Sequence, residues 1–311
     1  NMLQLIGWTS IMIYDAMLAL QELAPLSPMI WTIAIGALVI LWLFIGLHNT
    51  GYIQAIVSVL LLSLTLYMGA HMISQWPSET SLLTSGNMSF IAALELSIAM
   101  PLSWLPLISD YTRESKNPVS ASLTSATVYT ITSIVMYTLG LSAAIFGGGD
   151  SIITIMMNAG LGLAGLIVII FSTVTTTFMD AYSAGVSSTT IYNGVSSKRV
   201  AVIVTIVGTI AAILYPMDDI TDFLYLIGSV FAPMIAILLA DYFINRQQVQ
   251  TVSAYLVRGL IWAVSVGLYH YMLHSESTIG ATLPTFTMAF VVTAIVGFIS
   301  KTAHTSSEIK P

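Results

Sequence analysis

Ten runs of mostly apolar residues, each near the roughly 20 residues that a helix needs to cross a bilayer core, govern what this 311-residue chain can fold into. They lie at about 2–20, 29–47, 51–73, 88–109, 119–146, 162–191, 199–215, 220–244, 253–272 and 279–300, and Pro, Gly, Asn or charge marks their ends. In hydrocarbon a backbone must satisfy its own hydrogen bonds, so runs of this length become helices. The expected fold is therefore an all-α polytopic membrane protein with about ten transmembrane helices. Residues 1–300 form one transmembrane domain and residues 301–311 a tail. The stretch 151–158 is too short to cross and reads as a surface or re-entrant turn.

The basic residues test this count, because cytoplasmic loops collect Lys and Arg. Arg113 and Lys116 follow the fourth run, and Lys198 and Arg199 follow the sixth. Arg246 and Arg258 flank the connection after the eighth, and Lys301 and Lys310 follow the tenth. All eight basic residues fall on one side. The opposite connections carry Glu79, Asp150, Asp218, Asp219, Asp222 and Glu276. One span missed or invented would destroy this segregation. The basic side is thus the cytoplasm, and counting back from Arg113 through four spans puts Asn1 and the tail there as well.

Several function classes fall away. Only 7% of residues are charged and the formal net charge is -6, too little basic charge to neutralise a run of phosphates, so nucleic acid is no partner. With no cysteine there is no disulfide framework, thiolate metal site or Cys nucleophile. The sequence holds no His-Glu-x-x-His, no Gly-rich phosphate loop followed by Lys and no Gly-x-Ser-x-Gly elbow, so neither an enzyme nor a cofactor is expected. The histidines at 48, 71, 270, 274 and 304 sit near span ends without ligand spacing, and Gly147 to Gly149 make a flexible turn.

Charge buried in a span is costly and usually marks a pathway or a partner. Asp15, Glu95 and Asp180 lie deep in the first, fourth and sixth runs, with no Lys or Arg near any span centre, an arrangement suited to a cation. Polar glue between helices is the competing reading. On the first run, Gln4, Trp8 and Asp15 fall within about 40° of one another on a helix, so an indole, a carboxamide and a carboxylate share a face that could stack on a flat ring. The fourth run carries Pro101 and Pro106, each of which removes a backbone donor. A discontinuous helix holding a solute near the midplane is expected there, against a merely kinked one. The sixth run packs Ser172, Thr173, Thr175, Thr176 and Thr177 beside Asp180. Such hydroxyls can bind Na⁺ or bond back to their own helix.

Pro101-Leu-Ser-Trp-Leu-Pro-Leu-Ile-Ser-Asp-Tyr-Thr-Arg113 resembles a signature of the nucleobase-cation symporter-1 family. Residues 171–190, with Asp180-Ala-Tyr-Ser-Ala-Gly185, resemble that family's eighth helix, and Gly228-Ser-Val-Phe-Ala-Pro-Met through Ala240-Asp-Tyr-Phe243 its tenth. The nearest likeness within the family is to the CytX branch, assigned to hydroxymethylpyrimidine, with cytosine permeases next. The resemblance implies a LeuT-type five-plus-five inverted repeat whose first two helices lie upstream of Asn1, the ten runs being helices three to twelve. Such a fragment is expected not to transport alone. The resemblance also assigns roles. Trp8 matches the aromatic that stacks on the substrate ring, Met12 stands where many relatives have a polar group, and Met100 and Pro101 match the broken helix beside the substrate. Ser172, Thr175 and Thr176 match the eighth helix's share of a sodium site.

The expected function is cation-coupled import of a pyrimidine, hydroxymethylpyrimidine first and cytosine or a purine second, across a bacterial-type inner membrane. Trp8 would stack, Asp180 or Asp15 would hydrogen-bond, and backbone from Met100 to Trp104 would contact the solute. Na⁺ or H⁺ would be the coupling ion. A polytopic enzyme, which would want acids or histidines clustered at one interface, and a channel or receptor are the rival classes.

Overall fold

The computed structural model describes residues 1–23, 25–45, 50–74, 88–112, 115–146, 154, 156–157, 160–192, 194–217, 220–246, 251–275 and 278–308. The regular structure among the described residues is helical, with no strand among them. The helices are α1 (Met2–Leu23), α2 (Pro28–Ile45), α3 (Thr50–Ser74), α4 (Phe90–Thr112), α5 (Pro118–Phe146), α6 (Gly162–Ile191), α7 (Ser197–Leu214), α8 (Ile220–Leu239), α9 (Val252–His274) and α10 (Thr282–Glu308), with a π-helical turn, Ala240–Asn245, extending α8. All ten are long and apolar enough to span a membrane, matching the ten runs read from sequence. Arg113, Lys310, Gly147 to Gly149, Glu79, Asp150, Asp218, Asp219, Glu276 and most of 151–158 lie outside the described residues.

Local chemistry sets several helix starts. Pro28 and Pro118 occupy first-turn positions, where a missing N–H costs nothing and the fixed φ is already helical. Asn117 precedes the second of these and its Oδ1 accepts from Ser120 N at 3.2 Å, while Thr251 accepts from Ala254 N at 3.3 Å to open α9.

The chain divides into two compact units. The first comprises residues 1–85 and 107–220. In it α1, α6 and α7 pack against one another, α2 lies on α6 and α7, and α3 bridges α5 and α6. Small residues let these backbones close up. A Cβ on Gly208 would stand 2.6 Å from Thr9 Cγ2, one on Gly36 2.3 Å from Thr209 Oγ1, and one on Gly185 2.3 Å from the Ser197 carbonyl oxygen. Close approach at small residues is how membrane helices associate when lipid removes the hydrophobic drive between them. The core gathers Ile13, Ala16, Ala19 and Leu20 of α1 with Ile35, Leu64, Met156, Leu166 and Ala212. The spanning part of α5 buries no residue, and Leu123, Ile131, Ile134 and Leu141 on it are exposed, a surface that lipid can solvate and water cannot.

The second unit comprises residues 86–106 and 221–311, hence most of α4 together with α8, the π turn, α9 and α10. Ala236, Ile237, Ile261 and Ala289 form its core, with Trp262, Phe286 and Phe290 around them. Trp262 Nε1 donates to the Val230 carbonyl at 2.9 Å.

One expectation changes. The helix over residues 90–112 runs unbroken through both Pro101 and Pro106 instead of separating into two halves. Each proline removes a single ladder bond, and the turns on either side hold, with Ser103 Oγ donating to the Met100 carbonyl at 2.7 Å. Arg258 lies in the second turn of α9, within the run 253–272 read from sequence, and is neutralised there: its Nε and Nη2 donate to Asp241 Oδ2 and Oδ1 at 3.1 and 2.9 Å.

Candidate functional site

In the first unit, α1 and α6 run antiparallel: at one end Asn1 Nδ2 donates to Ser187 Oγ at 2.8 Å, and towards the other Ile13, Ala16 and Leu20 share a core cluster with Leu166. With equal rise per residue in both helices, this pairing puts Trp8 at the height of Asp180, and Met12 at the height of Ser172 to Thr176. Trp8 and Met12 are half-buried and Asp15 is exposed, so this stripe of α1 lies at the margin of the unit's own packing. The buried stripe of α1 is instead Leu5, Thr9, Ile13, Ala16 and Leu20.

On α6, Ser172, Thr176 and Asp180 follow at spacings of four and share one stripe. Ser172 and Thr176 are half-buried, and Thr175 is fully buried. Thr175 Oγ1 donates to the carbonyls of Phe171 and Ser172 at 2.8 and 3.1 Å. A hydroxyl that turns its proton into its own helix leaves its oxygen lone pairs free, and neutral oxygens of this kind suit an alkali cation. The donor set thus fits such an ion on the α6 side.

Asp180 is 7% exposed, and no hydrogen-bond or ion-pair partner for it occurs among the described residues. Beside it on the next turn, Thr177 Oγ1 is buried without a partner. An acid and a hydroxyl left unsatisfied in an apolar interior are costly to keep, so they are expected to meet a ligand or a transient partner. The sequence brings Thr177 into view within the hydroxyl cluster but gives it no role. Its distinction from Thr175 rests on which hydroxyl bonds back, and that depends on packing.

In the second unit, Met100 and Trp104 are half-buried and Pro101 is exposed along α4. Glu95, one of the three deep acids, is already occupied. Its Oε1 accepts from the backbone N–H of Ala281 and of Thr282, the latter at 2.6 Å, and so caps the start of α10. Gly280 makes this contact possible, with φ of 76° and no side chain, since a Cβ there would stand 2.6 Å from Glu95 Oε1. A cavity of about 750 Å³ borders Glu95, Tyr225 and Gly280. The three acids therefore differ: Glu95 is spent on backbone donors, Asp15 is exposed, and Asp180 is buried without a partner among the described residues.

No group of three or more His, Cys, Asp or Glu among the described residues could hold a metal ion. A second polar assembly went unseen in the sequence. Asp241 receives Arg258 and also Asn245 Nδ2 at 2.8 Å, and the same Asn245 nitrogen reaches the Thr293 carbonyl at 3.1 Å. These bonds tie the π turn to α9 and α10.

An all-helical fold with ten membrane-capable helices, glycine-mediated packing and a polar α6 stripe defines an integral membrane protein of the LeuT-type architecture. The solved structure of Mhp1, a nucleobase-cation-symport-1 family transporter in a closed conformation with bromovinylhydantoin bound, matches it with a TM-score of 0.70 at 15% identity, covering 97% of this chain and 75% of that one. Residues 26–309 match the sequence model of the permeases for cytosine/purines, uracil, thiamine and allantoin, and the chain belongs to that family. The cytosine permease of Escherichia coli strain K12 is 26% identical over 185 residues, which is 58% of this chain and 44% of that protein, and those of strains O6:H1 and O157:H7 match equally. The matched segment thus spans less than half the length of these curated relatives.

Proposed function

We propose that the protein is a cation symporter importing a pyrimidine, hydroxymethylpyrimidine in the first place, through a bacterial-type inner membrane with Asn1 and the C-terminal tail in the cytoplasm. The observation that carries this reading is the common height of Trp8 and Asp180 on antiparallel α1 and α6, with Asp180 buried and without a partner among the described residues. An indole offers a flat face to a ring, and a carboxylate accepts from ring or exocyclic N–H groups. Together they match an aminopyrimidine better than a sugar or an amino acid. Met12 and Asp15 would border the ring on α1. Ser172, Thr175 and Thr176 would ligate Na⁺. The ion would favour the substrate-ready state through its differential affinity for the two states, as linkage requires.

Cytosine is the second substrate reading, favoured by the cytosine permeases among the relatives. The test is equilibrium binding of radiolabelled hydroxymethylpyrimidine and cytosine to the purified protein, with and without Na⁺. Tighter binding of one pyrimidine in Na⁺, lost in Thr176→Ala, is the expected result. Binding indifferent to Na⁺ but strengthened at low pH would transfer the coupling to H⁺. If neither pyrimidine binds in any condition, the substrate assignment fails while the fold stands.

A further inference from the structure

The seat of α1 against α7 is set by a residue with no side chain. Gly208 is buried on α7, a helix that carries none of the residues assigned above to substrate or ion. A Cβ there would stand 2.6 Å from Thr9 Cγ2, 3.0 Å from Thr9 Cβ and 3.4 Å from the Ser10 backbone nitrogen. Thr9 is fully buried, and its hydroxyl donates to the Leu5 carbonyl at 2.7 Å, which holds the rotamer that aims Cγ2 at α7. A turned side chain would still leave its Cβ and the Ser10 nitrogen in place. Carbon atoms in ordinary contact stand about 3.6 Å apart, so one methyl on Gly208 would push α1 outward by about 1 Å.

The contact lies at the height of the proposed ring site. Thr9 is one residue from Trp8, a rise of about 1.5 Å. Trp8 and Met12 sit about 100° and 60° to one side of Thr9 on the helix, so a thrust along the line from Gly208 to Thr9 carries both of them with it. On either side of the contact α1 is packed, by buried Leu5 before it and by Ile13 and Ala16, in a cluster with Ala212, after it. Gly36 offers a contrast on the same helix pair's flank. A Cβ on it would stand 2.3 Å from Thr209 Oγ1, and that hydroxyl is likewise bonded back, to the Thr205 carbonyl at 2.7 Å, but this contact joins α2 to α7 and leaves α1 out.

We infer that Gly208 is a positioning residue for the ring site: its missing side chain lets Thr9 seat against α7 and so fixes where α1 holds Trp8 relative to Asp180 on α6. Gly208 itself touches neither solute nor ion. The inference rests on the pyrimidine reading for the ligand that is positioned, while the seating of α1 stands on the packing alone.

The test compares Gly208→Ala, Gly36→Ala and the double variant Gly208→Ala with Thr9→Ser, which removes the Cγ2 that the new methyl would meet. The readouts are Tm, binding of radiolabelled hydroxymethylpyrimidine and cytosine, and acrylamide quenching of the Trp8 fluorescence, taken in each background as the difference from its Trp8→Phe counterpart. Both single alanines are expected to lower Tm by a few degrees, since both crowd a packed contact. Only Gly208→Ala should also weaken pyrimidine binding, by at least about tenfold, and change the quenching of Trp8. The double variant should return both to within about threefold of wild type, and Gly36→Ala should keep the affinity within about twofold. Thr9→Ala, which empties the same contact and lets α1 sink toward α7, serves if Gly208→Ala fails to fold, and should likewise alter the Trp8 signal and weaken binding. Wild-type affinity and an unchanged Trp8 signal in a destabilised Gly208→Ala would overturn the inference, as would an equal loss of affinity in Gly36→Ala or no recovery in the double variant. If neither pyrimidine binds the wild-type protein, the substrate reading alone fails, and the Trp8 quenching still decides whether Gly208 seats α1.

Discussion

The two units treat buried polar groups in opposite ways. In the second, the charged groups are closed on one another: Glu95 on two backbone N–H groups, Asp241 on Arg258 and Asn245, with Thr293 Oγ1 as an orphan. In the first, Asp180, Thr177 Oγ1 and Ser197 Oγ stand without partners among the described residues. Satisfied polar networks hold a fold in one arrangement, whereas unsatisfied groups are what selection tolerates where something else must bind. The first unit is therefore where ligands are expected, and polar substitutions in the second should act on stability.

The largest expected effect breaks the second unit's network. Arg258→Ala leaves Asp241 charged at 14% exposure, and losing one partner of a buried pair costs about 3–5 kcal/mol. Thermal unfolding in detergent should show it, and the double variant Asp241→Asn with Arg258→Gln should recover part of the loss. If the single variant unfolds like wild type, the network is not what fixes the π turn.

Next comes Gly185→Ala in the first unit, where the added methyl meets backbone and not a yielding side chain. Overpacking of this kind costs about 1–3 kcal/mol. Glu95→Gln should cost about 1–2 kcal/mol, because the charge at the start of α10 disappears while one acceptor oxygen survives. Pyrimidine affinity in that variant should stay within twofold of wild type. A tenfold loss of affinity with unchanged Tm would put Glu95 back among the ligand-binding acids.

The smallest stability effect should accompany the largest binding effect. Asp180→Asn replaces an unpartnered buried acid with a neutral isostere, so Tm should hold or rise while pyrimidine binding weakens at least about tenfold, or roughly 1.4 kcal/mol. A clear fall in Tm would mean that Asp180 is structural, and the contrast between the units would collapse.

Much of the architecture was legible because membrane helices are announced by length and apolarity alone, and the segregation of eight basic residues checks the count. The site was legible only in part. Ser172, Thr176 and Asp180 share a stripe by spacing, which periodicity reveals. Glu95 could not be read correctly, since its partners lie 186 and 187 residues further on and are backbone groups that no motif marks. Arg258 falls within its run, but its pairing with Asp241, 17 residues earlier, was not legible, since no motif links the two. Pro101 and Pro106 announce a lost donor, but whether a helix breaks or merely continues is decided by its neighbours.

The Glu95 cap also bears on how the chain is made. At about 5–20 residues per second, a ribosome needs roughly 10–40 s to travel from Glu95 to Ala281, and through that interval α4 holds an acid whose partners have not been synthesised. Its shelter must come from water or from the insertion machinery. The arrival of α10, the last helix, is then what allows α4 to settle, so a ribosome stalled before Gly280 should leave a nascent chain that quality-control proteases recognise and remove.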